Sequence, residues 1–175
     1  MRYIDIEISE KMIDYASSVA NKIVVNRTKT SSIDTLAGAL GELAFAQWFL
    51  DDWTNHDLTS TKGKIDFFDK IEIKTSAYPY SENLNLLVRS DYAKARSPDF
   101  YIQTILCVSD RKAHSIRQGT ICRLSGWATH SEVMSAPLKD FGSKFGGRGG
   151  YQCHYIQIKQ LHPMEMFPLR PTSSA

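Results

Sequence analysis

Residues 3–8 alternate isoleucine with acidic residues, so that Ile4, Ile6 and Ile8 fall on one side. A period of two marks a half-buried strand or an extended lead-in. The period then changes. Met12, Ile13, Ala16, Val19, Ala20, Ile23 and Val24 recur at helical spacing, which predicts a helix capped by Ser9 and running to about residue 25. Residues 26–32 are polar and predict a loop. A second helix is expected over residues 34–50, apolar on most of its sides from Leu36 to Leu50. A helix of that kind belongs in the middle of a fold. Gly38 and Gly41 each cost it roughly 1 kcal/mol of propensity, so their presence predicts a close approach by another backbone.

After Asp51 the pattern becomes that of strands. Residues 64–68 and 71–75 are two short runs separated by Asp69 and Lys70, a hairpin signal. Further strands are predicted over residues 84–89, 99–108, 115–123 and 151–158, with short helical pieces at 92–95 and 131–135. Residues 140–150 hold five glycines and predict a mobile loop, and residues 171–175 a disordered tail. Helices first and strands afterwards imply an α+β or α/β sandwich on a mixed sheet. With 175 residues, a single domain over residues 1–170 is expected.

Composition narrows this only a little. The chain is 42% apolar and 23% charged with a net charge of +2, so nucleic-acid binding would have to come from a local patch. The amino terminus lacks the apolar core of a signal peptide, and no run approaches the roughly 18 apolar residues of a membrane span. A soluble, cytoplasmic protein without a membrane partner is the expectation. Cys107, Cys122 and Cys153 lie far apart with no CxxC pair, which argues against a disulfide framework or a structural zinc site.

The segment from Asp66 to Lys74 carries the sharpest chemistry. In a strand, Ile71, Ile73 and Thr75 face one way and Glu72 and Lys74 the other. A turn returning Asp66 alongside would bring two carboxylates and one ammonium to one point. That set suits metal-assisted phosphodiester hydrolysis, because Mg²⁺ takes oxygen ligands and keeps several waters. Alternating isoleucine and charge is also what a solvated sheet edge looks like, and Glu-x-Lys is a common tripeptide. Glu42 shifts the balance. It sits inside the apolar run Ala39–Ala46, where a carboxylate needs a partner or a metal.

Gly41-Glu42 in an apolar helix, then Asp66, then Ile71-Glu72-Ile73-Lys74-Thr75, resembles the PD-(D/E)XK superfamily of restriction endonucleases, Holliday-junction resolvases and phage exonucleases. The resemblance covers residues 34–108 and is weaker beyond. It implies a restriction-endonuclease-like fold, with a mixed central sheet flanked by helices. It implies a Mg²⁺-dependent deoxyribonuclease, with Mn²⁺ able to substitute, acting on DNA, with RNA not excluded. Asp66 and Glu72 would hold the metal with the Ile73 carbonyl, Glu42 would serve a second metal or a metal-bound water, and Lys74 would orient the attacking water. Asp66 follows Ile65 where the family's motif has proline, and Asp69 is a rival for its role.

Softer candidates remain. Lys62, Lys64, Arg89, Lys94, Arg96, Lys144 and Arg148 are possible phosphate contacts, Arg148 standing out within the glycine-rich segment. Most such residues are simply solvated surface. Tyr78 and Tyr80 are candidates for base stacking against a better bet of packing. His56, His114, His130, His154 and His162 have no ligand spacing. Two rival readings stay open: a non-catalytic nucleic-acid-binding module on the same fold, and a structural or interaction protein whose Glu72 and Lys74 form a surface ion pair. The pattern leaves the oligomeric state undetermined, a homodimer included.

Overall fold

In the computed structural model the described residues are 2–24, 32–60, 63–110, 115–141 and 151–170. Residues 142–150 with Lys144 and Arg148, the tail 171–175, Lys62, His114 and nearly all of the 26–32 loop lie outside them.

The first strand, β1 (Ile4–Glu7), leads into helix α1 (Glu10–Val24). Ser9 caps that helix, its Oγ accepting from the Met12 N–H at 3.2 Å. Met12, Ala16, Val19 and Ala20 form its buried stripe. Helix α2 (Ser32–Phe49) lies beneath, with Leu40, Leu43, Ala44, Phe45 and Ala46 fully buried. Phe45 is the hub of an aromatic cluster, with ring centroids 5.1 Å from Phe49 and 4.9 Å from Phe67. Truncating a ring so enclosed costs about 3–5 kcal/mol.

The strands β2 (Ile71–Tyr78), β4 (Phe100–Cys107) and β5 (Ile121–Thr129) join β1 in a four-stranded sheet of order β1-β5-β4-β2. Only β2 and β4 pair in parallel, so this sheet is mixed. Strands β3 (Asn85–Arg89), β6 (Leu138–Asp140) and β7 (Gln152–Gln157) form a second, antiparallel sheet of order β3-β7-β6. Two short helices, α3 (Ser90–Ala95) and α4 (His130–Ser135), accompany it. The described residues therefore build a mixed α/β protein of two sheets and four helices. None of these helices is long and apolar enough to cross a membrane.

Strand β4 is covered on both faces. Ile102 and Leu106 pack with α1 and α2, while Tyr101 and Ile105 pack with Leu86, Val88, Ala93 and Val133 of the second layer. That explains its near-continuous apolar run. Gly41 explains how α2 lies so flat on β2. A Cβ there would overlap Thr75 Oγ1 and come within 2.8 Å of Thr75 Cγ2 and of Thr104 Oγ1. The approaching atoms are side chains, not backbone, and around Gly38 nothing lies within 4 Å.

Two predicted strands differ. Residues 64–68 form no strand, only a single bridge between Phe67 and Ile71. The strand expected at 115–123 lies at Ile121–Thr129. Its pairing slips between Gln103 and Thr104, where Ser125 is left over and Gly126 sits at φ 154°. That bulge broke the alternation that would have marked the strand. At Gly126 a Cβ would stand 2.7 Å from Leu161 Cβ and 2.9 Å from the His162 carbonyl, so the position takes no side chain.

Candidate functional site

Strand β2 lies at the edge of its sheet, so no strand among the described residues pairs with the outer side of its backbone. Ile71 and Ile73 anchor it in the helix-side core. Glu72 and Lys74 point to the other face. Glu72 is only 8% exposed. Its Oε1 accepts from Lys74 Nζ at 3.0 Å, with Arg96 Nη1 3.9 Å away, while its Oε2 is buried with no hydrogen-bond partner among the described residues.

Asp66 arrives by a tight reversal. Phe68 and Asp69 take φ of 54° and 56°, and the Lys70 N–H donates to the Phe67 carbonyl at 2.9 Å. The turn thus centres on Phe68 and Asp69, one residue earlier than the sequence suggested. Left-handed backbone at two non-glycine residues costs of order 1–3 kcal/mol each, a strain found where geometry is demanded. The product of this reversal is a 2.7 Å bond from the Ile73 N–H to Asp66 Oδ2. Successive residues of a strand send their backbone groups to opposite edges. The Lys74 carbonyl is turned towards Thr104 Oγ1 of β4, at 3.5 Å, so the Ile73 carbonyl faces the free edge with Asp66.

Glu42 reaches the same place from α2. Its carboxyl lies within hydrogen-bonding reach of Asp66, and His56 Nε2 sits 2.9 Å from its Oε2. The His56 ring is itself held by stacking on Phe67, 4.2 Å between centroids. Burial pushes the Glu42 carboxyl up to about 8, helped by the Glu72 charge. Burial and then the Glu42 and Glu72 charges push Asp66 up to about 8 as well. Burial lowers His56 below its usual range, so it meets Glu42 as a neutral ring and not as a counter-charge. Glu42 and Asp66 thus cannot both ionise comfortably without an added cation.

The residues brought together are Glu42, Asp66, Glu72, Lys74 and the Ile73 backbone. Of the softer candidates among the described residues, Arg96 alone is placed against them, at Glu72. Arg89 is held by Asp91 through bonds of 3.1 and 2.7 Å. Lys64 and Lys94 are exposed, as is Tyr78, while Tyr80 packs against Tyr3 and Arg123. Asp69 is exposed on the turn, which leaves the inward position to Asp66. Sequence reasoning missed His56. Its contact with Glu42 bridges 14 residues and depends on the reversal after α2, where Asp51 has φ 61°. No periodic signal announces such a contact.

Among the described residues no group of three or more histidine, cysteine, aspartate or glutamate side chains is arranged to hold a metal ion. A cleft of about 700 Å³ beside Trp127, Glu132 and His162 lies away from these carboxyls. Compared with protein-family models, curated proteins and solved structures, the chain finds no match.

Proposed function

We propose that the chain is a Mg²⁺-dependent nuclease of the PD-(D/E)XK type, with a restriction-endonuclease-like core, that hydrolyses phosphodiester bonds of DNA. The observation that carries this reading is the meeting of Glu42, Asp66 and Glu72 at the free edge of β2 with too little positive charge to balance them.

The donor set fits a hard divalent cation. Glu72 Oε2 is a buried acceptor without a donor, and two neighbouring carboxyls hold protons that a cation would displace. Mg²⁺ needs only one or two carboxylates beside its waters, so an open set suffices, and the oxygen donors outnumber the single imidazole, His56, which is engaged by Glu42. Asp66, Glu72 and the Ile73 carbonyl would hold the ion, with Glu42 at its margin. When bound, the metal supplies an activated water and charge stabilisation for the phosphoryl oxygens.

The chain's own groups do the rest. The Ile73 N–H fixes the Asp66 carboxylate, and the neutral His56 fixes Glu42. Lys74, anchored on Glu72, presents a donor beside the reacting phosphate, and Arg96 is near enough to take a phosphate oxygen. Mn²⁺ calorimetry on the parent and on Asp66→Ala, with single-turnover cleavage of a panel of DNA and RNA substrates, tests this. Binding at a defined stoichiometry and EDTA-sensitive cleavage, both lost in Asp66→Ala, are expected. Cleavage that survives EDTA overturns the mechanism. Nucleic-acid binding without cleavage under any metal transfers the protein to the binding-module reading.

A further inference from the structure

Arg89 ends β3 and opens α3, and across the second sheet it is paired with Cys153 of β7. That register brings Tyr151, just before β7, beside α3. The Arg89 guanidinium lies 4.6 Å from the Tyr151 ring centroid and 4.5 Å from that of Tyr92. Arg96, at the other end of α3, lies 5.6 Å from the Tyr92 ring and 3.9 Å from Glu72 Oε1. Tyr151, Arg89, Tyr92 and Arg96 are therefore joined by successive ring–guanidinium contacts, a line of residues that Arg96 brings to the candidate active site.

Such a line could serve only to hold α3 against the second sheet, and in that case its rings would be sealed. They are not: Tyr92 is 47% exposed and Tyr151 42%. Charge alone is a poor explanation too, because Asp91 pairs with Arg89 through both of its oxygens. What the surface offers is stacking area beside a few cations, with Lys94 exposed on the same short helix. Base faces are available to rings only in unpaired strands, since a duplex buries them in its own stack and presents phosphates.

We infer that the Tyr151–Arg89–Tyr92–Arg96 line is a binding platform for single-stranded nucleic acid, leading an unpaired strand across α3 to the carboxylates at the edge of β2. The inference rests on the nuclease reading for what happens at the end of that path. The platform itself is tested without it. Fluorescence anisotropy in EDTA, where no metal is bound and no cleavage occurs, compares a short oligothymidine, its RNA counterpart and a duplex of the same length. The parent binds at least one of the single strands roughly tenfold tighter than the duplex. The double variant Tyr92→Ala/Tyr151→Ala loses roughly fivefold or more of single-strand affinity and leaves the duplex unchanged, while Tyr92→Phe/Tyr151→Phe binds as the parent does. If the double alanine variant does not fold, Tyr151→Ser alone carries the comparison. Duplex binding equal to or tighter than both single strands overturns the platform, as does an alanine or serine variant that binds like the parent. Asp66→Ala separates the two readings: it should bind single strands as the parent does and cleave nothing. Tyrosine-dependent binding with no cleavage by any form leaves the platform and removes the nuclease. Metal-dependent cleavage indifferent to Tyr92 and Tyr151 does the reverse.

Discussion

Two ionic sites in this molecule use the same side-chain types to opposite ends. At the β1–β5 seam, Asp5 accepts two bonds from Arg123, at 2.8 and 2.9 Å, and the guanidinium lies against the Tyr3 and Tyr80 rings at 3.8 and 4.4 Å. One negative charge meets one positive charge, and both of its oxygens are satisfied. At the edge of β2, three carboxyls share Lys74, a more distant Arg96 and a neutral histidine, and one carboxylate oxygen has no donor. The first cluster is complete as it stands. The second is balanced only while Glu42 and Asp66 keep their protons, and among the described residues Glu72 Oε2 has no donor. The difference marks where a ligand is expected, because acidic residues as such are everywhere on the surface.

The comparison breaks most visibly in catalysis. Lys74→Ala should fold and bind Mn²⁺ nearly as the parent does while losing about 10²–10³-fold in single-turnover cleavage rate. Asp66→Ala should lose metal binding and cleavage together, and Asp5→Asn should change neither. A Lys74→Ala protein that cleaves at the parent rate removes the role assigned to that lysine.

The next largest effect concerns the packing that carries Glu42 to the site. Gly41→Ala forces a methyl group into Thr75 and should destabilise the fold by about 1–3 kcal/mol in urea denaturation. Gly38→Ala, with open space around it, should lose nothing and gain some helix propensity. Equal behaviour of the two variants would show that α2 does not lie on β2 as described.

The response to pH sharpens the contrast further. Glu42 and Asp66 are raised from 4.5 and 3.8 in the unfolded chain to about 8 when folded. Below about pH 4 both states hold the protons and this stabilisation is fully present. Between there and about 8 the folded state keeps protons that the unfolded chain has released, so stability falls as pH rises. Without metal, the melting temperature should therefore drop from pH 5 to pH 8.5. Glu42→Gln should flatten that slope, and added Mn²⁺ should raise the melting temperature most at the alkaline end. A Glu42→Gln slope identical to the parent's would contradict the burial assigned to this carboxyl.

The smallest effect belongs to the balanced cluster. Asp5→Asn should cost at most about 1 kcal/mol, and its effect should shrink with added salt, as for other exposed pairs.

How far the sequence revealed all this depended on the range of each interaction. Helices α1 and α2, strand β4 and the positions of Glu72 and Lys74 follow from local periodicity, and periodicity was enough to find them. Glu42 was legible because an acid in an apolar helix is locally inconsistent. Strand β5 was misplaced because the Ser125 bulge and Gly126 interrupt its alternation, while Ile116, buried in a loop, supplies a false beat. The 64–68 strand was over-read, because a reversal through Phe68 and Asp69 needs only one bridge to return Asp66 to β2. His56 was invisible, since its meaning depends on a neighbour in another element.

The bond between Ile73 and Asp66 bears on solubility as well. An edge strand presents unpaired amide groups in a row, and such a row is a template on which another chain can add itself. By taking the Ile73 N–H, Asp66 occupies a donor in that row, so an incoming strand's carbonyl meets a carboxyl oxygen where it needs a donor. The residue at the heart of the candidate site is then also the guard of the sheet's open border, and removing it exposes that border to self-association.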